Sequence, residues 1–210
     1  MTLALGVLVS GSGTNLQAIL DAVAGGTLDA RVAVVVSNVA TAKGLDRARA
    51  AGIPAVVVDH KAFSTREAFD AELVSVLRAH GVSCVVLAGF MRLVTPVLLG
   101  AFPDRVVNIH PSLLPAFPGK DAQAQALRYG VRFAGCTVHF VDAGTDTGPV
   151  IAQAVVPVLP SDDEHALAAR ILVEEHRLLP SVLGAIAAGR VTVERTGEPG
   201  ARPRVRVTEP

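Results

Sequence analysis

The chain has no excess of charge of either sign: 19 acidic and 19 basic side chains cancel over 210 residues. A protein that attracted nucleic acid or an anionic membrane over a distance would carry a basic surplus, so neither partner is expected. Cysteine is scarce too. Cys84 and Cys136 each sit inside an apolar run, which argues against a disulfide framework or a metal site and for a reducing, cytoplasmic setting. Apolar runs of about 18 residues, the length that crosses a membrane, are missing. The opening stretch MTLALGVLVSGSG has no basic residue ahead of its apolar segment, so it reads as a first strand and not a signal peptide. There is no G-x-S-x-G, no H-E-x-x-H and no cysteine outside an apolar run. Internal repeats are absent.

What the chain does have is short Val-rich runs alternating with Ala-rich helical stretches. Strands are expected at 3–9, 31–37, 54–59, 82–90 and 105–110, with helices near 15–24, 42–52, after 64, and near 95–101. Strands that are apolar on both faces and separated by helices imply a parallel sheet covered on both sides. Three helix starts read as capping boxes: Thr14 with Gln17, Ser64 with Glu67, and Ser161 with Glu164. After a helix near 121–129, two runs at 135–142 and 150–158 are joined by the short loop AGTDTGP, which suggests an appended antiparallel pair. A long helix to about 188 follows. The fold class is therefore α/β, an open, mostly parallel twisted sheet with antiparallel strands added in the C-terminal half. The expected layout is one domain over 1–190, divided near 104/105. The tail 191–210 reads as a loose strand and a partly flexible end.

In such a sheet, ligands gather beyond the carboxyl ends of strands. Four stretches fall there. SGSGTNLQ (10–17) pairs Gly11 and Gly13, which permit a tight turn and close backbone approach, with a helix start suited to phosphate. It lacks the third glycine of G-x-G-x-x-G, and a plain turn before a helix explains it equally well. AGFMRLVTP (88–96) is an apolar cluster interrupted by Arg92; apolar residues usually mean core. VNIHPSLLP (107–115) puts Asn108 and His110 on one strand face, because strand side chains alternate, and Pro111 keeps His110 extended. DAGTDTGP (142–149) carries two acids, Asp142 and Asp146, in what could be an ordinary turn. Together the four suit acyl transfer without a covalent intermediate. Asn108 would donate to a carbonyl oxygen becoming an oxyanion, and His110, beside a carboxylate, would move the proton. Spacing does not choose between Asp142 and Asp146.

The stretches SGSGTNLQAI, SNVATAKGLDRARAAGIP, STREAFDAEL, VVLAGFMRLVTP, NIHPSLLPAFPG, GCTVHFVDAGTDTGPVIAQ and the later EEH together resemble the phosphoribosylglycinamide formyltransferase family of folate-dependent transferases, from about residue 3 to 190. The resemblance implies a Rossmann-like formyltransferase fold. It also implies transfer of a formyl group from 10-formyltetrahydrofolate to the amine of 5-phosphoribosylglycinamide, without a metal. By position it implies Asn108, His110 and Asp146 as the catalytic set, and Gly13, Thr14, Asn15 and Glu175 as ribotide residues. For the folate it implies Arg66, Met91, Arg92, Leu93, Val94, Asn108 and the stretch from Val141 to Asp146. The halves 1–104 and 105–190 would then be ribotide-phosphate and catalytic/folate halves, and a homodimer stays open. Lys120-Asp121-Ala122-Gln123 stands where some members carry histidines, so no catalytic role is assigned there. Two other readings remain. One is a sister enzyme, methionyl-tRNA formyltransferase or formyltetrahydrofolate hydrolase, for whose usual extra domain the neutral chain shows no sequence. The other is a non-catalytic nucleotide-binding module, which would leave Asn108, His110 and Asp146 unexplained.

Overall fold

The computed structural model describes residues 2–195 and 202–209, which fall into two compact units, 1–108 and 109–210. In the first unit the strands are β1 (Leu3–Val9), β2 (Ala30–Ser37), β3 (Ala55–Val57), β4 (Cys84–Leu87) and β5 (Val106–His110), the last running past the unit's end. The helices between them are α1 (Thr14–Ala24), α2 (Lys43–Ala50), α3 (Arg66–Ala79) and α4 (Pro96–Ala101). All pairings are parallel: β1 lies between β2 and β4, β3 flanks β2, and β5 flanks β4. Every residue of β1 and β4 is buried, the physical content of runs that are apolar on both faces. A Cβ on Gly6 would collide with the Leu77 side chain, so the glycine lets α3 seat closely on the sheet. From β1 the chain builds outward to β3, then returns to the other side of β1 for β4. That reversal is a topological switch point, and loops 10–13 and 88–95 leave the two adjacent strands at it.

The second unit contains α5 (Ala122–Tyr129), β6 (Phe133–Phe140), β7 (Val150–Pro157) and α6 (Glu164–Ala187). β6 and β7 pair antiparallel, as the short loop implied, with a register shift between Val138 and His139. The long helix buries Leu167, Ile171, Glu175, Leu179 and Leu183 at every fourth position, joined towards its end by Val182, Ala185 and Ile186, and this stripe carries its packing. Each buried leucine in it contributes roughly 1.5–3 kcal/mol. Glu175 is the one acid in that stripe.

Several local expectations need correction. Thr14 does not cap α1: it is the first residue of the helix, and the cap is Gly13 in the left-handed region (φ 69°), which makes no side-chain cap bond. Gln17 instead donates to Asp21 and accepts from Arg47. The caps of α3 and α6 lie off the expected serines: Thr65 accepts from Ala68 N–H, and Asp163 from Ala166 N–H. Asp162 is held outside α6 by two bonds from Arg170. The third strand is only three residues and gives way to a 3-10 turn at His60–Ala62. The tail holds two strands, β8 (Val191–Glu194) and β9 (Arg204–Val207), paired antiparallel, where one loose strand was expected. Valines alternate with polar residues in both, a period-2 pattern hidden by the prolines and glycines around it. Residues 196–201 and Pro210, part of the end expected to be mobile, lie outside the described residues.

Candidate functional site

In the first unit, the loop after β1 carries the expected ribotide residues. Gly13 is required for two reasons, only one of them foreseen. Its positive φ suits glycine, and a Cβ there would stand 2.6 Å from Gly44 Cα in α2. By contrast, a Cβ on Gly11 would meet nothing within 4 Å. Thr14 and Asn15 form the half-buried first turn of α1, whose start carries no acidic residue. Arg47, which the sequence reading passed over, reaches from α2 to this loop: Nε donates to the Ser12 carbonyl (2.9 Å) and a terminal nitrogen to Gln17 Oε1 (3.0 Å). A guanidinium beside a helix N-terminus strengthens the case for an anion there.

The loop after β4 overturns the bland reading of its apolar residues. Phe90 is core, but Met91 and Leu93 are 64% and 54% exposed, while Arg92 and Val94 are half-buried. Large apolar side chains held out at a switch point suit a flat apolar ligand. The far end of the loop is fixed by Asp70, a buried α3 carboxylate that accepts from Thr95 N–H at 2.5 Å. Burial raises the Asp70 pKa, and that hydrogen bond works against the rise. Arg66, exposed, is the first residue of the same helix.

In the second unit, His110 and Asp146 meet. His110 Nδ1 lies 3.4 Å from Asp146 Oδ2, and Nε2 is 2.9 Å from the Phe117 carbonyl, to which it donates. Asp146 takes a positive φ (54°), accepts from Gly119 N–H at 2.8 Å, and is largely sheltered. Asp142 has other work. Its Oδ1 accepts from Gly144 N–H (3.1 Å) and Thr147 Oγ1 (2.7 Å), the hydrogen bonding of an Asp-built turn. Structure thus decides what spacing left open: Asp142 shapes the loop and Asp146 faces the histidine. Asn108, half-buried, precedes His110 by two residues on β5 and so projects from the same strand face.

Two residues the sequence reading missed support this pair. His139 Nε2 lies 3.7 Å from the other oxygen of Asp146, and its Nδ1 is 2.9 Å from the Phe140 carbonyl. Burial holds the His139 pKa below the usual histidine value, offset in part by the Phe140 hydrogen bond and the Asp146 charge. Thr137, fully buried, donates to the Ser112 carbonyl (2.6 Å) and accepts from Leu114 N–H (3.0 Å) and Gln153 Nε2 (2.9 Å). It pins the loop that follows His110. Val141 is half-buried just beyond β6, and Glu175 is buried in α6. Burial pushes the Cys136 thiol up to about 12, with Glu175 adding to the rise, and the Cys84 thiol also up to about 12; neither is poised as a nucleophile. A cavity of about 390 Å³ lies behind the loop, walled by residues such as Leu113, Phe117, Tyr129 and Phe133. Its lining is mostly apolar, with Ser112 and Tyr129 as the polar side chains. Among the described residues no group of three or more His, Cys, Asp or Glu side chains is arranged to hold a metal ion.

Comparison with known proteins identifies a family and several relatives. A family profile described as formyl transferase matches residues 4–183. The trifunctional purine biosynthetic protein adenosine-3 of Drosophila melanogaster is 48% identical over 189 residues, covering 89% of this chain but 14% of that much longer protein. Phosphoribosylglycinamide formyltransferase of Escherichia coli is 45% identical over 185 residues, 88% of this chain and 87% of that one. The crystal structure of glycinamide ribonucleotide transformylase 1 from Symbiobacterium toebii superposes with a TM-score of 0.94 at 55% identity, covering 99% of this chain and 95% of that one. The chain belongs to the formyl transferase family.

Proposed function

We propose that the chain is a phosphoribosylglycinamide formyltransferase of purine biosynthesis, taking its formyl group from 10-formyltetrahydrofolate. The ribotide phosphate would rest on the amides of Gly13, Thr14 and Asn15, with Glu175 serving the same substrate. The folate would lie against Met91, Leu93 and Val94, with Arg66, Arg92, Asn108 and the Val141–Asp146 stretch contributing. The observation that carries the reading is the Asp146 carboxylate, anchored by Gly119 N–H and set 3.4 Å from His110 at the end of the strand that also bears Asn108.

In this reading, the ribotide amine attacks the formyl carbon, and negative charge grows on the formyl oxygen. Asn108 donates a hydrogen bond to that oxygen, and such donors are typically worth about 10²–10³ in rate. His110, oriented by Asp146, moves the proton: the amine loses one as the new C–N bond forms, and the folate nitrogen gains one as the old bond breaks. Proton carriers of this kind contribute about 10²–10⁴. Both cysteines are free and buried, which suits a reducing cytoplasm.

The test is incubation with 10-formyltetrahydrofolate with and without the ribotide. Tetrahydrofolate should be released only when both are present. Release without the ribotide would make the protein a hydrolase, and no release in either case would refute the reading.

A further inference from the structure

The two loops at the switch point of the first unit are joined through one residue, Ser10. Ser10, the residue after β1, donates its backbone N–H to the Gly89 carbonyl at 3.1 Å. Its hydroxyl accepts from Met91 N–H at 2.9 Å and donates to Asn38 Oδ1 at 2.6 Å. Asn38 is 7% exposed, and its amide nitrogen lies 3.3 Å from His60 Nδ1. This fixes the direction of the chain of bonds. Asn38 gives its N–H to the His60 ring nitrogen and turns its carbonyl to Ser10. A hydroxyl has one proton, so once that proton is given to Asn38, the oxygen's lone pairs face Met91. The serine cannot leave its place without freeing the Met91 amide, and Met91 cannot shift without pulling on the residue that begins the Gly11–Gly13 turn.

From this we infer that Ser10, oriented by Asn38, is a positioning residue that couples the two substrates: ribotide bound on the 10–15 loop orders the 91–94 stretch and tightens folate. The inference rests on the assignment of these two loops under the proposed function, and goes beyond it by linking them energetically. A ligand that orders one loop lowers the cost of ordering the other for a second ligand. The link consists of one side-chain and one backbone hydrogen bond, so its loss should be modest, about 3- to 10-fold.

Two measurements test it. First, amide hydrogen exchange in the ligand-free protein: Ser10→Ala should speed exchange at Met91 about 3- to 10-fold, and Ser10→Thr, which restores the hydroxyl, should return it towards the parent rate. Second, the dissociation constant of tetrahydrofolate, which has no formyl group to transfer, with and without saturating ribotide. In the parent the ribotide should tighten tetrahydrofolate several-fold; in Ser10→Ala and Asn38→Leu that ratio should fall to near one, and Ser10→Thr should recover most of it. A ratio unchanged in Ser10→Ala overturns the coupling, and unchanged exchange at Met91 overturns the hydrogen-bond link beneath it. If the parent binds no tetrahydrofolate while exchange at Met91 still responds to Ser10→Ala, the failure lies in the folate assignment, and the coupling falls with it.

Discussion

Replacing Asp146 by Asn separates charge from shape more cleanly than any other change in the site. Asp146 sits at φ 54°, a region that asparagine tolerates well, so the backbone need not move. The retained carbonyl oxygen can still accept from Gly119 N–H, now 2.8 Å from a carboxylate oxygen. What disappears is the negative charge 3.4 Å from His110 Nδ1. At an effective dielectric constant near 20, full charges at that separation attract by roughly 5 kcal/mol. If about half a positive charge has developed on the imidazole in the transition state, roughly 2–3 kcal/mol of stabilisation is lost, or about 10²-fold in rate. The assay is kcat at saturating concentrations of both substrates, alongside thermal melting. Turnover should fall about 10²-fold or more, with KM values within a few-fold of the parent and the melting temperature nearly unchanged. Asp142→Asn should behave differently, because Asp142 accepts from Gly144 and Thr147 within the turn and its main effect is loop order. Parental turnover in Asp146→Asn together with a collapse in Asp142→Asn would refute the assignment of the acid.

Gly13→Ala combines a left-handed backbone penalty of about 1–2 kcal/mol with overpacking of about 1–3 kcal/mol against Gly44, so thermal melting should drop by about 5–15 °C. Its loss of ribotide affinity would mix binding with folding. Gly11→Ala, whose Cβ has open space, should melt like the parent yet raise the ribotide KM; an unchanged KM would mean no ligand approaches that backbone. Met91→Asp, at a side chain 64% exposed, should leave stability within about 0.5 kcal/mol and raise the folate KM about tenfold or more while sparing the ribotide's, as kinetics in each substrate would show. Burial holds the folded His139 pKa below the ordinary histidine value of about 6.5, so the unfolded chain binds the proton more readily, and its contribution to stability is present above about 6.5 and lost as pH falls through the window beneath it. His139→Gln should therefore flatten the fall in melting temperature between about pH 7 and 5; parallel curves for parent and variant would count against a buried neutral ring.

The parallel half of the fold was legible because its signal is local. Strands such as Leu3–Val9 and Cys84–Leu87 are wholly buried, and a wholly buried strand has to be written as an unbroken apolar run. What failed was what depends on distant partners. Thr14 and Gln17 match a capping box in spacing, yet the turn is set by Gly13 packed against Gly44, a residue 31 positions away that no local pattern can reveal. The exposure of Met91 and Leu93 was likewise invisible, since an apolar side chain looks the same in sequence whether it is core or a ligand platform.

The strand-borne pair proposed as catalytic, Asn108 and His110, stands out by alternation alone, and the same rule would have found the buried polar residues near it. Asn108 and His110 drew notice as polar residues at alternate positions of an otherwise apolar strand. Thr137 and His139 stand in the same relation within β6, and both are buried. A polar side chain inside such a strand has to find partners there, because an unsatisfied buried polar group costs about 1–3 kcal/mol. Thr137 finds the loop after His110, and His139 turns towards Asp146. The alternation says that these side chains face one way; only the structure says towards what. Asp146 shows the limit of the rule. It lies in a loop, where no period applies, and its choice over Asp142 rests on a positive φ and a turn already closed by the other acid. Strand-borne chemistry can be read from the period of the strand, whereas loop-borne chemistry needs the hydrogen bonds that decide which acid is left to face the histidine.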